Sequence, residues 1–261
     1  MLVKLENVSN SKNRYIFDSS GLKMEGPPLR VLYRRISYFN GQLCKVYRNG
    51  LVQSGTMNLI PYGKRLIIKM PGKYLVVFFG MSGVVKEKKL EDESPNLVIK
   101  SERSDLLYFY RCAISQKTPD EFSEYYDPRR DIMDQQWDPA LAISKIRALR
   151  HTEMITSDIL LDQDIFCGSG NIIKNEVMWR TRVNPERKVS EIDDLRISEI
   201  VNSVKEFSNV FYNARLNHER LSGRLYVYRK RFCPLCLNKI STGKIGITKR
   251  ITFWCVNCQT Q

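Results

Sequence analysis

Two different periodicities divide the chain. From residue 29 to about residue 110, short runs of β-branched, leucine and aromatic residues alternate with glycine, proline and other turn residues, a pattern typical of strands joined by tight turns. Repeated short strands of this kind predict a β-sandwich. Near residues 28–36 a helical pattern competes with the strand pattern. The candidate strands are Arg30–Arg34, Gln42–Tyr47, Arg65–Met70, Tyr74–Phe79, Asn96–Lys100 and Leu106–Tyr110.

Beyond residue 137 the spacing of apolar residues becomes helical. Helices are predicted for Pro139–Arg150, Met154–Leu161, Asn171–Trp179 and Ile192–Leu216. The last of these has a single apolar face, which is expected to be buried. That face consists of Ile197, Ile200, Val201, Val204, Phe207 and Phe211. A strand-rich half followed by a helical half predicts an α+β protein of two domains with a cleft between them.

Four cysteines near the C-terminus have the spacing of a metal site. They form two C-x-x-C pairs, Cys233 with Cys236 and Cys255 with Cys258. Such pairs bind one structural zinc ion, and four thiolates leave no coordination position for a catalytic water. Ile245 to Trp254, between the pairs, is β-branched, basic and aromatic, which predicts a hairpin with Arg250 at its tip. The sequence therefore favours a zinc hairpin over a zinc hydrolase.

These patterns divide the chain into five segments. We expect a leader over residues 1–23, a β-sandwich over 24–118, a linker over 119–136, a helical domain over 137–226 and a zinc-binding segment over 227–261. The leader is polar and lacks the apolar core of a secretory signal.

Charge and composition narrow the class of partner. Lysine and arginine number 42 against 28 acidic residues, which gives a net charge of +14. Such an excess points to nucleic acid or another polyanion. No apolar run approaches the ~20 residues of a membrane span, and the three remaining cysteines are scattered singly, as in proteins of reducing compartments. We therefore expect an intracellular protein that is not secreted and has no membrane partner.

A glycine-rich turn precedes the helix predicted to begin at Asn171. Free amides at a helix N-terminus, with the helix dipole behind them, make a phosphate site. The side chain of Asn171 can also reach a phosphate oxygen, and Lys174 adds positive charge one turn later. The alternative is a tight corner between two helices, in which Gly168 and Gly170 are needed for steric reasons alone.

These motifs carry a resemblance to a known family. Leu160 to Glu176, with Leu-Leu-Asp-Gln and then Gly-Ser-Gly-Asn-Ile-Ile-Lys-Asn-Glu, and Arg250 to Gln259, Arg-Ile-Thr-Phe-Trp-Cys-Val-Asn-Cys-Gln, resemble the formamidopyrimidine-DNA glycosylase/endonuclease VIII (Fpg/Nei) family. Gly-Asn-Ile-Ile-Lys-Asn-Glu is most similar to the third vertebrate Nei-like type and to related giant-virus copies of the mimivirus type. The resemblance covers residues 24–261. It implies a monomeric base-excision enzyme, with N-glycosylase and AP-lyase steps, acting on damaged DNA in the nucleus or at a viral replication site.

The resemblance also implies a nucleophile at the N-terminus of the active protein. Met24 to Pro27 read Met-Glu-Gly-Pro, where the family has Pro/Val-Glu-Gly-Pro. Met24 falls on the position whose α-amine forms the Schiff base, and Glu25 on the proton donor and acceptor. An α-amine titrates near ~8, so part of it is neutral at pH 7, whereas a lysine titrates near ~10.4. Because 23 residues precede Met24, three interpretations stay open: translation begins at Met24, which we expect; the leader is cleaved after Lys23; or the nucleophile is lost.

Further residues match positions at which the family contacts DNA. Lys64 matches the hairpin lysine that contacts the lesion phosphate and donates a proton in β-elimination; it is also the alternative nucleophile. Arg250 matches the arginine that contacts the same backbone and donates a proton in δ-elimination. With Asn171, these residues would form a three-point clamp on the phosphates. Met81, in Gly-Met-Ser-Gly, is the candidate to fill the gap left by an extruded base.

Two departures from the family bear on the substrate. Phe78 stands where many relatives have histidine, and Leu107 to Cys112 does not match the Arg-Phe loop that other members insert against the opposite strand. Both predict a weak grip on duplex DNA and hence tolerance of single strands. The resemblance implies oxidised pyrimidines and hydantoins as the excised bases. The alternative function is a non-catalytic zinc-containing DNA-binding module, which explains the charge but not Met-Glu-Gly-Pro.

Overall fold

Two β-sheets form the N-terminal part of the protein, and helices followed by a β-hairpin form the rest. The computed structural model describes residues 24–260, and the leader predicted over residues 1–23 lies outside this range. The architecture confirms the predicted fold class. Within residues 24–260, none of the helices combines the length and the apolar character that crossing a membrane requires.

Helix α1 (Gly26–Ile36) begins directly after Glu25. Pro27 lies in its first turn, where the missing N–H group has no intrahelical partner to lose. Leu29, Leu32 and Ile36 are fully buried against the sheets. The strand predicted over Arg30–Arg34 is therefore wrong, because the apolar residues are spaced three and four apart and only a helix places them on one face.

Nine strands form the two sheets of residues 24–118. They are β1 (Leu43–Arg48), β2 (Leu51–Thr56), β3 (Asn58–Tyr62), β4 (Arg65–Met70), β5 (Lys73–Phe78), β6 (Val84–Lys86), β7 (Leu97–Ser101), β8 (Leu106–Tyr110) and β9 (Ala113–Lys117). One sheet has the order β2-β1-β7-β8-β6 and the other β3-β4-β5-β9. Side chains from both sheets and from α1 share one core. Five of these strands are predicted from sequence; β2, β3, β6 and β9 are not, because they are polar, short or interrupted by proline.

The predicted linker contains a short helix, α2 (Pro119–Tyr125). Thr118 and Glu121 form a capping box: the Thr118 hydroxyl accepts the Glu121 N–H, and the Glu121 carboxylate accepts the Thr118 N–H. Phe122 stacks on Tyr74 of β5 with 3.9 Å between ring centroids. The linker is thus packed against the second sheet.

The helical part comprises α3 (Pro139–Ala148), α4 (Thr156–Ile159), α5 (Asn171–Arg180) and α6 (Asp194–Leu216). The apolar face predicted for α6 is buried, as expected, and contributes to the core of this part. Helix α4 has only four residues and is shorter than the predicted Met154–Leu161. The hairpin consists of β10 (Ser241–Ile245) and β11 (Arg250–Trp254), with Ile245 opposite Arg250.

Candidate active site

Glu25 connects the two parts of the protein. It is the residue before α1, and only 2% of its surface is exposed. One carboxylate oxygen accepts the N–H of Ile172 at 2.8 Å and the other accepts that of Ile173 at 3.4 Å. The first turn of a helix has unpaired amides and a partial positive charge, so it favours an ionised carboxylate. The prediction that these amides bind phosphate is therefore corrected. In the structure their N–H groups donate to the carboxylate of Glu25.

Glycines permit this close approach. A Cβ at Gly170 would lie 2.4 Å from Cδ of Glu25. Gly168 has a φ of +101° and contacts the backbone of Gly26, whose N–H donates to the Gly168 carbonyl at 2.8 Å. The steric explanation of the glycine turn is therefore supported, and the contact partner is the start of α1.

Lys64 lies in the two-residue turn between β3 and β4. Gly63, the other turn residue, has a left-handed φ of +55°, and a Cβ there would overlap the Sγ of Cys167. Burial lowers the pKa of Lys64 to about 8; the negative charge of Glu25 opposes this shift and the positive charge of Arg250 adds to it. Lys64 thus lies within electrostatic reach of both residues.

A buried carboxylate that the sequence analysis did not single out holds this turn in place. Asp131 accepts the N–H of Gly63 at 3.0 Å and a guanidinium hydrogen bond from Arg30 at 3.0 Å. The same Arg30 nitrogen donates to Asp134 at 2.8 Å. The linker therefore fixes both the residue before Lys64 and the helix that follows Glu25. No spacing in the sequence marks Asp131, because its partners lie far away along the chain.

The hairpin places Arg250 beside the start of α5. The side-chain amide of Asn171 donates to the carbonyl of Ile251 at 2.8 Å. Arg250, the residue before Ile251, begins β11 and has an exposed side chain. Asn171 itself is only 6% exposed. The fold thus brings Glu25, Asn171 and Arg250 to one end of α5.

Lys174 occupies a different position from the predicted one. It is fully buried, and its Nζ donates to the hydroxyl of Thr252 at 2.7 Å. A side chain in this position does not reach the surface, so the predicted contact between Lys174 and a DNA phosphate is corrected. Lys174 is buried because it lies on the face of α5 that packs against β11, and this strand covers its side chain.

Met81 projects from the loop after β5, with 66% of its surface exposed. The neighbouring Gly80 has a φ of +56°. Strands β8 and β9 are joined by only two residues, Arg111 and Cys112, and Nε of Arg111 donates to the carbonyl of Ser82 at 3.0 Å. The short connection is consistent with the absence of the Arg-Phe loop motif. The hydrogen bond from Arg111 stabilises the loop that carries Met81.

The four cysteines of the C-terminal segment converge on one point. Their Sγ atoms all lie within 4.8 Å of one another. The Sγ atoms of Cys236 and Cys255 are 3.4 Å apart and those of Cys233 and Cys258 are 3.8 Å apart. Tetrahedral zinc with bonds of about 2.3 Å to sulfur requires S···S separations of roughly 3.8 Å. The donor set therefore fits a single zinc ion.

Residues 133–225 match the family model described as the formamidopyrimidine-DNA glycosylase H2TH domain. The chain is 29% identical over 220 residues to Endonuclease 8-like 3 of Mus musculus, an alignment that covers 82% of this chain and 35% of that protein. An Endonuclease 8-like protein of Acanthamoeba polyphaga mimivirus is 36% identical over 112 residues, covering 42% of this chain and 40% of the relative. The chain thus spans about a third of the length of the mouse relative.

Solved structures share the whole fold. A viral DNA glycosylase superimposes with a TM-score of 0.76 at 22% identity and covers 90% of this chain and 99% of its own. The formamidopyrimidine-DNA glycosylase of Lactococcus lactis, solved with DNA containing an AP site, gives a TM-score of 0.76 at 18% identity and covers 91% of this chain and 100% of its own. At these identities, the likeness shows the fold.

Proposed function

Since the chain belongs to the Fpg/Nei family by its H2TH domain and its fold, we propose that it is a bifunctional DNA glycosylase and AP lyase. The observation that carries the proposal is the position of Glu25. This buried carboxylate directly follows Met24, precedes α1 and accepts an N–H of the first turn of α5, and it interacts electrostatically with Lys64. A purely DNA-binding module has no need of a buried acid that interacts electrostatically with a lysine whose pKa burial lowers to about 8.

Met24 supplies the nucleophile once its α-amine is free. The amine attacks C1′ of the sugar, and an N–C1′ bond forms as the bond from C1′ to the base breaks; the base leaves with that electron pair and takes a proton from solvent. The ionised carboxylate of Glu25 accepts the proton that the nitrogen loses after the attack, and donates it to O4′ as the C1′–O4′ bond opens and the Schiff base forms. Solvent then takes a proton from C2′, a C2′–C3′ double bond forms, and the C3′–O bond breaks as the phosphate leaves as an anion, which cleaves the strand.

Lys64 and Arg250 act on the DNA backbone in this scheme. Lys64, in the β3–β4 turn, interacts electrostatically with Glu25 and with Arg250, which begins β11 of the hairpin. We assign to Lys64 a contact with the lesion phosphate and proton donation in β-elimination. Arg250 contacts the adjacent phosphates and donates a proton in δ-elimination, while Asn171 completes the clamp from the start of α5.

The proposed substrates are oxidised pyrimidines and hydantoins in single- or double-stranded DNA. The exposed Met81 is suited to fill the gap left by the flipped nucleotide. The two-residue connection of Arg111 and Cys112 leaves no room for a loop inserted against the opposite strand, which supports activity without one. A comparison of excision from matched single-stranded and duplex oligonucleotides tests this, and strict dependence on duplex would contradict it.

The four cysteines would hold one zinc ion with a structural role. Their thiolates complete a tetrahedral coordination, so the ion would fix the hairpin and contribute no catalytic water. We further propose that the protein acts as a monomer inside the cell, in the nucleus or at a viral replication site, where a reducing environment keeps the thiolates available.

The decisive experiment is borohydride trapping with DNA that contains an abasic site. A protein beginning at Met24 is compared with one that retains residues 1–23, in which the Met24 nitrogen is an amide. We expect a covalent complex with the first protein only, with the cross-link mapped to Met24 by mass spectrometry. A Glu25→Gln variant should bind DNA and lose turnover. DNA binding without trapping by either protein would leave only the non-catalytic DNA-binding module.

A second candidate nucleophile is Lys64, and its pKa of about 8 favours it. Trapping by the protein that retains residues 1–23 would point to this residue. Lys64→Arg keeps the positive charge and removes the reactive amine, so it distinguishes the two nucleophiles. Loss of trapping in Lys64→Arg, with the cross-link mapped to position 64 in the parent, would replace Met24 by Lys64.

A further inference from the structure

One face of α5 makes three hydrogen bonds to consecutive residues of β11. The side-chain amide of Asn171 donates to the carbonyl of Ile251 at 2.8 Å. Lys174 Nζ donates to the Thr252 hydroxyl at 2.7 Å, and the Asn175 side-chain oxygen accepts the N–H of Phe253 at 2.6 Å. Positions three and four apart lie on one helix face. The helix therefore fixes the register of the strand that begins with Arg250.

The middle bond of this set involves a fully buried ammonium group. Lys174 and Thr252 are both 0% exposed. Burial of a charge is costly unless the group is hydrogen-bonded, and an apolar side chain of similar length would fill the same space without that cost. A lysine at this position therefore indicates a role that packing alone does not supply.

The hydroxyl of Thr252 connects Lys174 to Arg250. It accepts the hydrogen bond from Lys174 and donates to the carbonyl of Arg250 at 3.1 Å. The turn of the hairpin is held separately, because both carboxylate oxygens of Asp158 accept the N–H of Ile247, at 3.1 and 3.0 Å. Arg250 thus lies between two anchors that belong to the helical domain.

We infer that Lys174 is a positioning residue for Arg250 and acts through the hydroxyl of Thr252, without touching DNA. The inference rests on the proposed function, in which Arg250 contacts a phosphate. The Lys174 ammonium orients the Thr252 hydroxyl. It donates a proton to a lone pair of the hydroxyl oxygen, so the hydroxyl's own proton is directed to the carbonyl of Arg250. The backbone of Arg250 is then held at the distance from Asn171 that the phosphate clamp requires.

The test is the salt dependence of DNA binding by the full chain. The probe is a duplex that contains a tetrahydrofuran abasic analogue, which has no leaving group at C1′. Each phosphate contact contributes about 0.9 to the slope of log Kd against log salt for duplex DNA. We expect Arg250→Ala to lower the slope by about that amount and Lys174→Met to lower it similarly, although Lys174 is buried. The double variant should bind no more weakly than Arg250→Ala alone, because both changes remove one contact.

A pair of threonine variants provides the control for folding. Thr252→Val removes the hydroxyl at constant shape and should behave like Lys174→Met, whereas Thr252→Ser keeps it and should restore the parental slope. Thr242, which is exposed and lies opposite Phe253 on β10, gives the matched control Thr242→Val, with no change expected. Zinc content and thermal unfolding are recorded for every variant. If Lys174→Met does not fold, the inference is tested by comparing the salt slopes of Thr252→Val and Thr252→Ser.

Two results would overturn the inference. The first is an unchanged slope in both Lys174→Met and Thr252→Val while Arg250→Ala lowers it. The second is a loss of affinity for Lys174→Met that is as large in the Arg250→Ala background as in the parent. An unchanged slope in Arg250→Ala itself would instead remove Arg250 from the proposed clamp, so failure of the proposed function is recognised separately.

Discussion

The carboxyl group of Glu25 occupies the space in which a side chain at Gly170 would lie. A Cβ on Gly170 would be 2.4 Å from Cδ of Glu25 and 2.6 Å from its Cγ. Gly170 is also the residue before α5, whose first amides bind the same carboxylate. Glycine is therefore required at position 170 to leave space for Glu25, which lies 145 positions earlier in the chain. The N-terminus of α5 binds this acid of the proposed active site.

Gly170→Ala should displace this carboxylate. The added methyl group cannot be accommodated without moving Glu25 away from the N–H of Ile172, so the acid loses the partner that fixes its position. We expect turnover on abasic DNA to fall by roughly 10²-fold or more, the range in which general acid–base catalysis contributes. Gly223→Ala is the matched control, since nothing lies within 4 Å of a Cβ there. Parental turnover in Gly170→Ala would show that the position of Glu25 does not matter.

Much of this arrangement could be predicted from local sequence. The α6 face, five strands and the cysteine pairs depend on spacings of a few residues, which periodicity and ligand chemistry record. The strand prediction at Arg30–Arg34 failed because that run is too short to separate the two periods, and the helical spacing becomes clear only when Leu29 and Ile36 on either side are included. The helical conformation of α1 is stabilised by its packing on the sheets, and this tertiary contact cannot be read from the local sequence.

The contacts of the candidate site depend on distant parts of the chain. Asp131 lies 68 residues from Gly63, and Lys174 lies 78 residues from Thr252. Lysine on a helix one turn beyond a glycine turn is usually exposed, so its sequence position favoured a phosphate contact. Only the packing of β11 on α5 shows that it is enclosed. The acid–base role of Glu25 stays a prediction from its match to the family motif, and its burial could not be read from its neighbours in the sequence.

The pH dependence of strand cleavage should report the state of Lys64. Its pKa of about 8 lies below the ordinary value of 10.5, so the ammonium is lost as the pH rises through about 8. If Lys64 contacts phosphate and donates a proton, the single-turnover rate falls above that pH. Lys64→Arg should abolish this decline, because a guanidinium stays charged there. If Lys64 were the nucleophile, the rate would show no decline above pH 8 and Lys64→Arg would be inactive.

The lowered pKa of Lys64 also predicts how the free energy of unfolding depends on pH. The unfolded chain binds a proton at this lysine up to pH 10.5, whereas the folded chain releases it near pH 8. Between these values the unfolded state holds more protons, so this group makes the free energy of unfolding increase with pH. Denaturant unfolding at pH 7.5 and 9.5 should show a smaller gain in Lys64→Met than in the parent. An equal gain would mean that Lys64 is not buried in solution.

Asp131→Asn should weaken the junction between the two domains. The carboxylate is 1% exposed and binds both Arg30 and the N–H of Gly63. Arg30 keeps Asp134 as a partner, but a single amide oxygen cannot replace the charged acceptor of both Arg30 and Gly63, and leaving buried donors poorly paired costs about 1–3 kcal/mol. We expect a loss of that order in the free energy of unfolding, measured by denaturant titration, together with slower strand cleavage. Asp134→Asn, which touches Arg30 but not Gly63, is the matched control and should cost less; equal losses would contradict a special role for Asp131.

Removal of the metal should separate the hairpin from the rest of the helical domain. Cys233 and Cys255 are buried with Trp179, Val227 and Ile240 in a cluster distinct from the larger helical core. So few apolar side chains do not hold a hairpin by themselves, which is why small zinc-binding segments depend on their ion.

Treatment with a strong chelator should therefore change the tryptophan fluorescence, because Trp179 packs with the cysteines and Trp254 ends β11, and should preserve most of the helical circular dichroism. The slope of log Kd against log salt should fall by about 0.9, the contribution of one phosphate contact, because Arg250 is released with the hairpin. Cys258→Ser should reproduce this result, and Cys112→Ser, outside the cysteine cluster, should not. An unchanged slope after complete metal removal would mean that α5 and Asp158 alone hold Arg250 in place.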